Sequence, residues 1–201
     1  ETTGPVGFGR FEMTISRSRA ANRANKGECD TEGRWSVFGQ AFRRIHGMSS
    51  SSLRRSGQLW TVVLSGERAH DAGGPYRESW TVMCQELMSS TLPLLCLCPN
   101  AVALVGSYRD TWVLNPDATS TIQLQMFSFL GKLMGMALRT KCYMDIWLAP
   151  IVWKLLVRET VQMEDVKDID QLEASRLERL RKLAQNSNNS LQSEVTPFSR
   201  M

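Results

Sequence analysis

Apolar residues recur along this chain with two different periods, and the changes from one to the other divide it into elements. FEMTISR (Phe11–Arg17) alternates apolar and polar positions, the pattern of a half-buried strand. LWTVVLSGE (Leu59–Glu67), with Trp60, Val62, Val63 and Leu64, predicts a second strand. Between them, WSVFGQAFRRI puts Phe38, Ala41, Phe42 and Ile45 on one helical face. HGMSSSSLRRSG reads as a polar loop, because serine hydroxyls compete with the backbone for its own hydrogen bonds. PYRESWTVMCQELMSS predicts a helix with Tyr76, Trp80, Met83, Cys84, Leu87 and Met88 on one side.

The second half is more helical. LPLLCLCPN reads as a buried strand or extended segment, and RDTWVLNPD as a short strand stopped by Asn-Pro. IQLQMFSFLGKLMGMALRT carries Met126, Leu130, Leu133, Met134 and Ala137 at helical spacing. Phe127 and Phe129 widen that stripe, so the helix is expected to be covered on several sides. Gly131 and Gly135 form a GxxxG, expected here to allow close packing in a soluble core. IWLAPIVWKLLV predicts an apolar helix with Pro150 in its first turn. EDVKDIDQLEASRLERLRKLA places acids early and bases late, as a helix dipole favours. Beyond Gln185 the composition turns polar and a disordered tail is expected.

One stretch raises the question of chemistry. GERAHDAGGPYRE joins the second strand to the helix after it. Gly73 and Gly74 permit φ > 0, Pro75 suits a first helical turn, and Asp71 can accept hydrogen bonds from N–H groups two and three residues on. A phosphate cradle is the sharper alternative, but neither GxxxxGK[ST] nor GxGxxG is present and Asp71 would repel a phosphate. The physical reading is a strand-to-helix corner. Arg77 and Glu78 are expected to form a buried ion pair or to link neighbouring helices.

Composition narrows the rest. At 201 residues and 42% hydrophobic the chain can bury the core of one domain, and a net charge of +4 is mild. Between Arg10 and Arg55, however, ten Lys/Arg face four Asp/Glu. A solvated linker and exposed helix explain that excess, and binding to nucleic acid or an acidic surface is the competing reading. Five cysteines without a CxxC pair favour reduced thiols, hence a cytoplasmic or nuclear setting. No apolar run is long enough to span a membrane. Two histidines exclude a multi-histidine metal site, and Cys96 with Cys98 lack further ligands, so neither metal nor cofactor is expected. Cys142, near Arg139 and Lys141, has no histidine beside it in sequence to act as a base. A first residue other than methionine suggests a fragment.

Six blocks in order carry a resemblance: ISRSRA, WSVFGQAFRRI, LRRSGQLWTVVLSGERAHDAGGPYRESWTVMCQEL, LPLLCLCPN, RDTWVLNPDA and MFSFLGKLMGMALRTKCYMDIWLAPIVWKLL. Together they resemble the N-terminal lobe of HECT-type ubiquitin-protein ligases, most closely the large HERC-type members, from about Phe11 to Asp170. The resemblance implies a mainly helical α+β lobe with a few short strands over 11–170, after a flexible start (1–10) and before a helix and polar tail (171–201). It implies as partners ubiquitin and a ubiquitin-conjugating enzyme, the docking surface for the latter being incomplete here, with no nucleic acid and no membrane span. Family members take ubiquitin onto a cysteine and pass it to a substrate lysine. That cysteine lies in a Thr-Cys-Phe type motif of the C-terminal lobe, which has no counterpart here, so no catalytic residue carries over. Asp71, Gly73, Gly74, Arg77 and Glu78 carry over as motif positions with a structural role. The strand holding Asp110 and Trp112 lies where some members hold ubiquitin noncovalently. The alternative is a non-catalytic module that binds ubiquitin or another partner.

Overall fold

A computed structural model of the chain describes residues 11–54, 57–66 and 73–193. Strands β1 (Phe11–Ile15) and β2 (Trp60–Leu64) pair in parallel, Phe11 opposite Trp60 and Ile15 opposite Leu64. A parallel pair needs a long crossover. Here it is made by α1 (Arg17–Ala24), α2 (Val37–Ile45) and α3 (Ser50–Leu53). Then follow α4 (Gly74–Leu87), β3 (Leu95–Leu97), α5 (Pro99–Ala103), β4 (Trp112–Leu114) and α6 (Thr121–Thr140). The last helices are α7 (Pro150–Leu156), α8 (Met163–Ile169) and α9 (Gln171–Ser193). The expected α+β, mainly helical architecture with a few short strands is the one observed. The residues group into two compact units, one running to Cys96 and resuming over Leu114–Trp147, the other Leu97–Val113 and the chain from Leu148 onward.

The first unit is built on the β1–β2 pair. Met13, Ile15, Trp60, Val62 and Leu64 are all buried, the alternate positions that a strand gives to one face. Helix α2 buries Phe38, Ala41, Phe42 and Ile45 as their spacing requires. Phe38 meets Phe129 of α6 edge-on at 5.1 Å. Trp60 stacks on Trp80 of α4 at 5.4 Å and meets Tyr76 edge-on at 4.9 Å. Burying each such side chain contributes roughly 1.5–3 kcal/mol.

Two buried carboxylates fix the start of α2. Asp30 accepts hydrogen bonds from the backbone N–H groups of Arg34, Trp35 and Ser36 and from the Ser36 hydroxyl. Glu86 of α4 accepts from the N–H groups of Val37 and Phe38 at 2.8 and 2.7 Å. The orphan donors of a helix N-terminus are thereby satisfied from another helix. Gly39 lies so close to this clamp that a Cβ there would come within 2.5 Å of the Gly33 backbone and 2.6 Å of an Asp30 oxygen.

In the second unit Asn100 takes the central place. Its side-chain N–H groups donate to the carbonyls of Ser107, Lys167 and Asp168, and its oxygen accepts from the N–H of Gln171. One buried amide thus ties α5 to the junction of α8 and α9. Lys154 of α7 pairs with Asp165 of α8 at 2.8 Å.

Several expectations need correction. The serine-rich loop contains α3, because the Ser49 hydroxyl caps it by accepting from the Ser52 N–H. Only Leu95–Leu97 of LPLLCLCPN is strand, since Pro99 opens α5 instead. Helix α6 is not covered all round: Leu124 and Leu138 are 56% and 84% exposed. Its GxxxG faces outward, and a Cβ at Gly131 or Gly135 would meet nothing within 4 Å. The final helix is two, broken at Asp170, whose carboxylate accepts from the Glu173 N–H and caps α9. Helix α9 continues past Gln185 to Ser193, into the stretch expected to be disordered.

Candidate functional site

The corner after β2 was the leading candidate. Asp71 lies outside the described residues. Gly73 stands at the N-cap of α4 with φ 101°, a conformation open to glycine and resisted by other residues. Gly74 and Pro75 then begin the helix as expected. Arg77 and Glu78 are both exposed. Glu78 pairs with Arg17, linking α4 to α1 across the surface, and Arg77 and Glu78 do not form a buried ion pair. The cleft bordered by Arg17, Pro75 and Glu78 measures about 10 Å³, room for about one water. Nothing substrate-sized fits there.

The thiols were the other source of chemistry. Cys84 is buried, and burial, with smaller contributions from Asp145 and Cys142, pushes it up to about 11. Burial also raises Cys142, with the Arg77 charge pulling weakly the other way, and burial and then Asp30 raise Cys29. A nucleophilic thiol needs the opposite displacement. No two of the five cysteines are joined in a disulfide. Among the described residues no group of three His, Cys, Asp or Glu is arranged to hold a metal ion, and no helix is long and apolar enough to cross a membrane.

Asp110 and Trp112 belong to the second unit. Asp110 is exposed, and Trp112 is half-buried in β4, where its carbonyl accepts from the Ala149 N–H. Just before them Tyr108 has φ 51° and is 43% exposed. The Thr111 hydroxyl and N–H both bond the Tyr108 carbonyl and close this turn. Tyr108 escaped the sequence reading because a lone aromatic between the turn at Gly106 and a short strand fits no periodic pattern. Asp30, Glu86 and Asn100 escaped for a related reason. Each is a buried polar residue held mainly by backbone groups, those of Asp30 four to six residues on and most of those of Glu86 and Asn100 far away in sequence. For Glu86 the one local signal is its place beside Met83 and Leu87 on the buried side of α4.

Residues 81–199, more than half of the sequence, match the HECT-domain (ubiquitin-transferase) family. The chain belongs to this family. Over 168 residues it is 35% identical to the mouse E3 ubiquitin-protein ligase HERC2 and 34% identical to the human one, covering 83% of this chain and 3% of either protein. The human probable E3 ubiquitin-protein ligase HECTD4 is 33% identical over 67% of this chain and 4% of its own length. The probable ligase hulA of Aspergillus terreus is 24% identical over 81% of the chain and 19% of its own length. The chain therefore spans a small part of each relative. The HECT match opens inside α4, so the glycine corner precedes it, and it takes in the whole of the second unit up to residue 199.

Proposed function

We propose that this chain supplies the N-terminal lobe of a HECT ubiquitin transferase over residues 11–170, and that the cysteine accepting ubiquitin is not among its five. The observation that carries the second clause is the state of the thiols. Cys29, Cys84 and Cys142 are displaced away from thiolate, and none of the five stands in a Thr-Cys-Phe type motif. On this reading the chain engages ubiquitin and holds only part of the docking surface for a charged conjugating enzyme, and it does not receive ubiquitin as a thioester; transfer to a substrate lysine needs a thiol from elsewhere. Asp71, Gly73, Gly74, Arg77 and Glu78 then serve to turn the chain and tie α4 to α1. Cysteines that form no disulfide suit a cytoplasmic setting.

Ubiquitin contact is assigned to the second unit, at the turn and strand containing Tyr108, Asp110 and Trp112. Support comes from the exposed aromatic ring of Tyr108 beside the exposed Asp110 carboxylate, on a turn fixed by two hydrogen bonds. Partial apolar exposure with a polar rim is the make-up of a modest protein interface. The test is a titration of isotope-labelled ubiquitin with the chain, followed by NMR. The reading expects perturbed ubiquitin resonances, weakened by Tyr108→Ala and Asp110→Arg. Unchanged ubiquitin spectra, or equal binding by both variants, would remove this assignment.

A further inference from the structure

Between the end of α3 and the outer side of α6, Leu53, Arg54, Lys132, Gly135, Met136 and Arg139 line an open groove of about 440 Å³. Its floor is apolar: Leu53 and Met136 are buried side chains, and Gly135 adds none. Three cations surround that floor. The Lys132 ammonium donates to the His46 carbonyl, which leaves its charge unneutralised. Among the described residues, neither Arg54 nor Arg139 is paired with a carboxylate. The field is felt locally: His46 is held below the usual imidazole range by burial and then by the Lys132 charge.

We propose that this groove is a docking site for an acidic peptide segment, whose carboxylates meet Arg54, Lys132 and Arg139 while one aliphatic side chain lies over Gly135 against Met136. Charge complementarity selects the occupant. None of the six lining residues is aromatic, so the stacking platforms that single-stranded nucleic acid uses are missing. The apolar floor gives an aliphatic side chain a place that a phosphate backbone would leave empty. It lies in the first unit, whereas the ubiquitin assignment lies in the second, so either can fail without the other.

The glycine supplies a clean test. A Cβ at position 135 would meet nothing within 4 Å, so Gly135→Leu projects its side chain into the groove. A short fluorescein-labelled peptide of alternating Glu and Leu is titrated into the full chain by anisotropy, with helical circular dichroism checked for each variant. Saturable binding that weakens as salt rises is expected. Joint Arg54→Glu and Arg139→Glu substitution should weaken it by roughly tenfold, since each reversal turns an attraction into a repulsion. Gly135→Leu should abolish it. The proposal is overturned if no binding occurs, if the Gln-for-Glu peptide binds equally well, or if both variants bind like the parent. It is also overturned if a single-stranded RNA oligonucleotide binds more tightly than the peptide and loses its affinity in the arginine variants.

Discussion

Gly39 and Gly131 both lie in helices of the first unit, yet they meet opposite demands. A methyl group at Gly39 would collide with the Gly33 backbone and the Asp30 carboxylate, neither of which can move without opening the start of α2. Gly39→Ala should therefore cost about 1–3 kcal/mol of stability in urea unfolding. Gly131→Ala meets open space and should gain up to about 1 kcal/mol through helix propensity. The sequence offered no means of telling these glycines apart, because the difference lies in what approaches them from elsewhere in the chain.

Glu86 makes a prediction in pH. Burial raises its carboxyl to about 7 against an ordinary 4.5, Asp30 adds to the rise, and the bonds from Phe38 and Val37 oppose it. The folded protein thus holds a proton that the unfolded chain releases above pH 4.5. Stability tied to this group is full below about 4.5 and is lost as pH rises towards 7, by on the order of 3 kcal/mol. Subtracting the unfolding profile of Glu86→Gln from that of the parent should isolate this slope. A difference that is flat across the window would contradict it. Helix periodicity placed the apolar neighbours of Glu86 correctly, but it cannot say that a carboxylate on that face will find two backbone donors.

At the scale of elements, sequence and structure agree wherever one period persists. Helix α6 spans the predicted helical run, opened by a capping box between Ser120 and Gln123. Ser120→Ala should lower stability by about 1 kcal/mol in a urea titration. Agreement fails where an element is short and a tertiary partner decides, as for α3, α5 and the break at Asp170. The α5–α8–α9 junction depends on one amide. Asn100→Leu strands the carbonyls and N–H that it serves, each at roughly 1–3 kcal/mol when buried. Hydrogen exchange should then accelerate across α5, α8 and the start of α9 while α2 and α4 keep their protection. Equal protection in both units would show that Asn100 does not hold this junction.

At the scale of the whole molecule, motif order carried the family, and the match over residues 81–199 bears it out. The proposed difference between the family's chemistry and this chain's share of it was legible too, because none of the five cysteines stands in a Thr-Cys-Phe type motif. What the sequence could not supply is the surroundings of the thiols, which folding sets: Cys84 is buried on α4, and Cys142 is half-buried within reach of the Arg77 charge. The central claim is that this chain belongs to a ubiquitin-transferase family yet carries no acceptor thiol of its own. The most direct test mixes the chain with activating enzyme, a panel of conjugating enzymes, ATP and ubiquitin, then separates the products without reductant. The account predicts that no reductant-sensitive ubiquitin adduct forms on the chain with any conjugating enzyme in the panel. A thioester mapped to any of the five cysteines would contradict it.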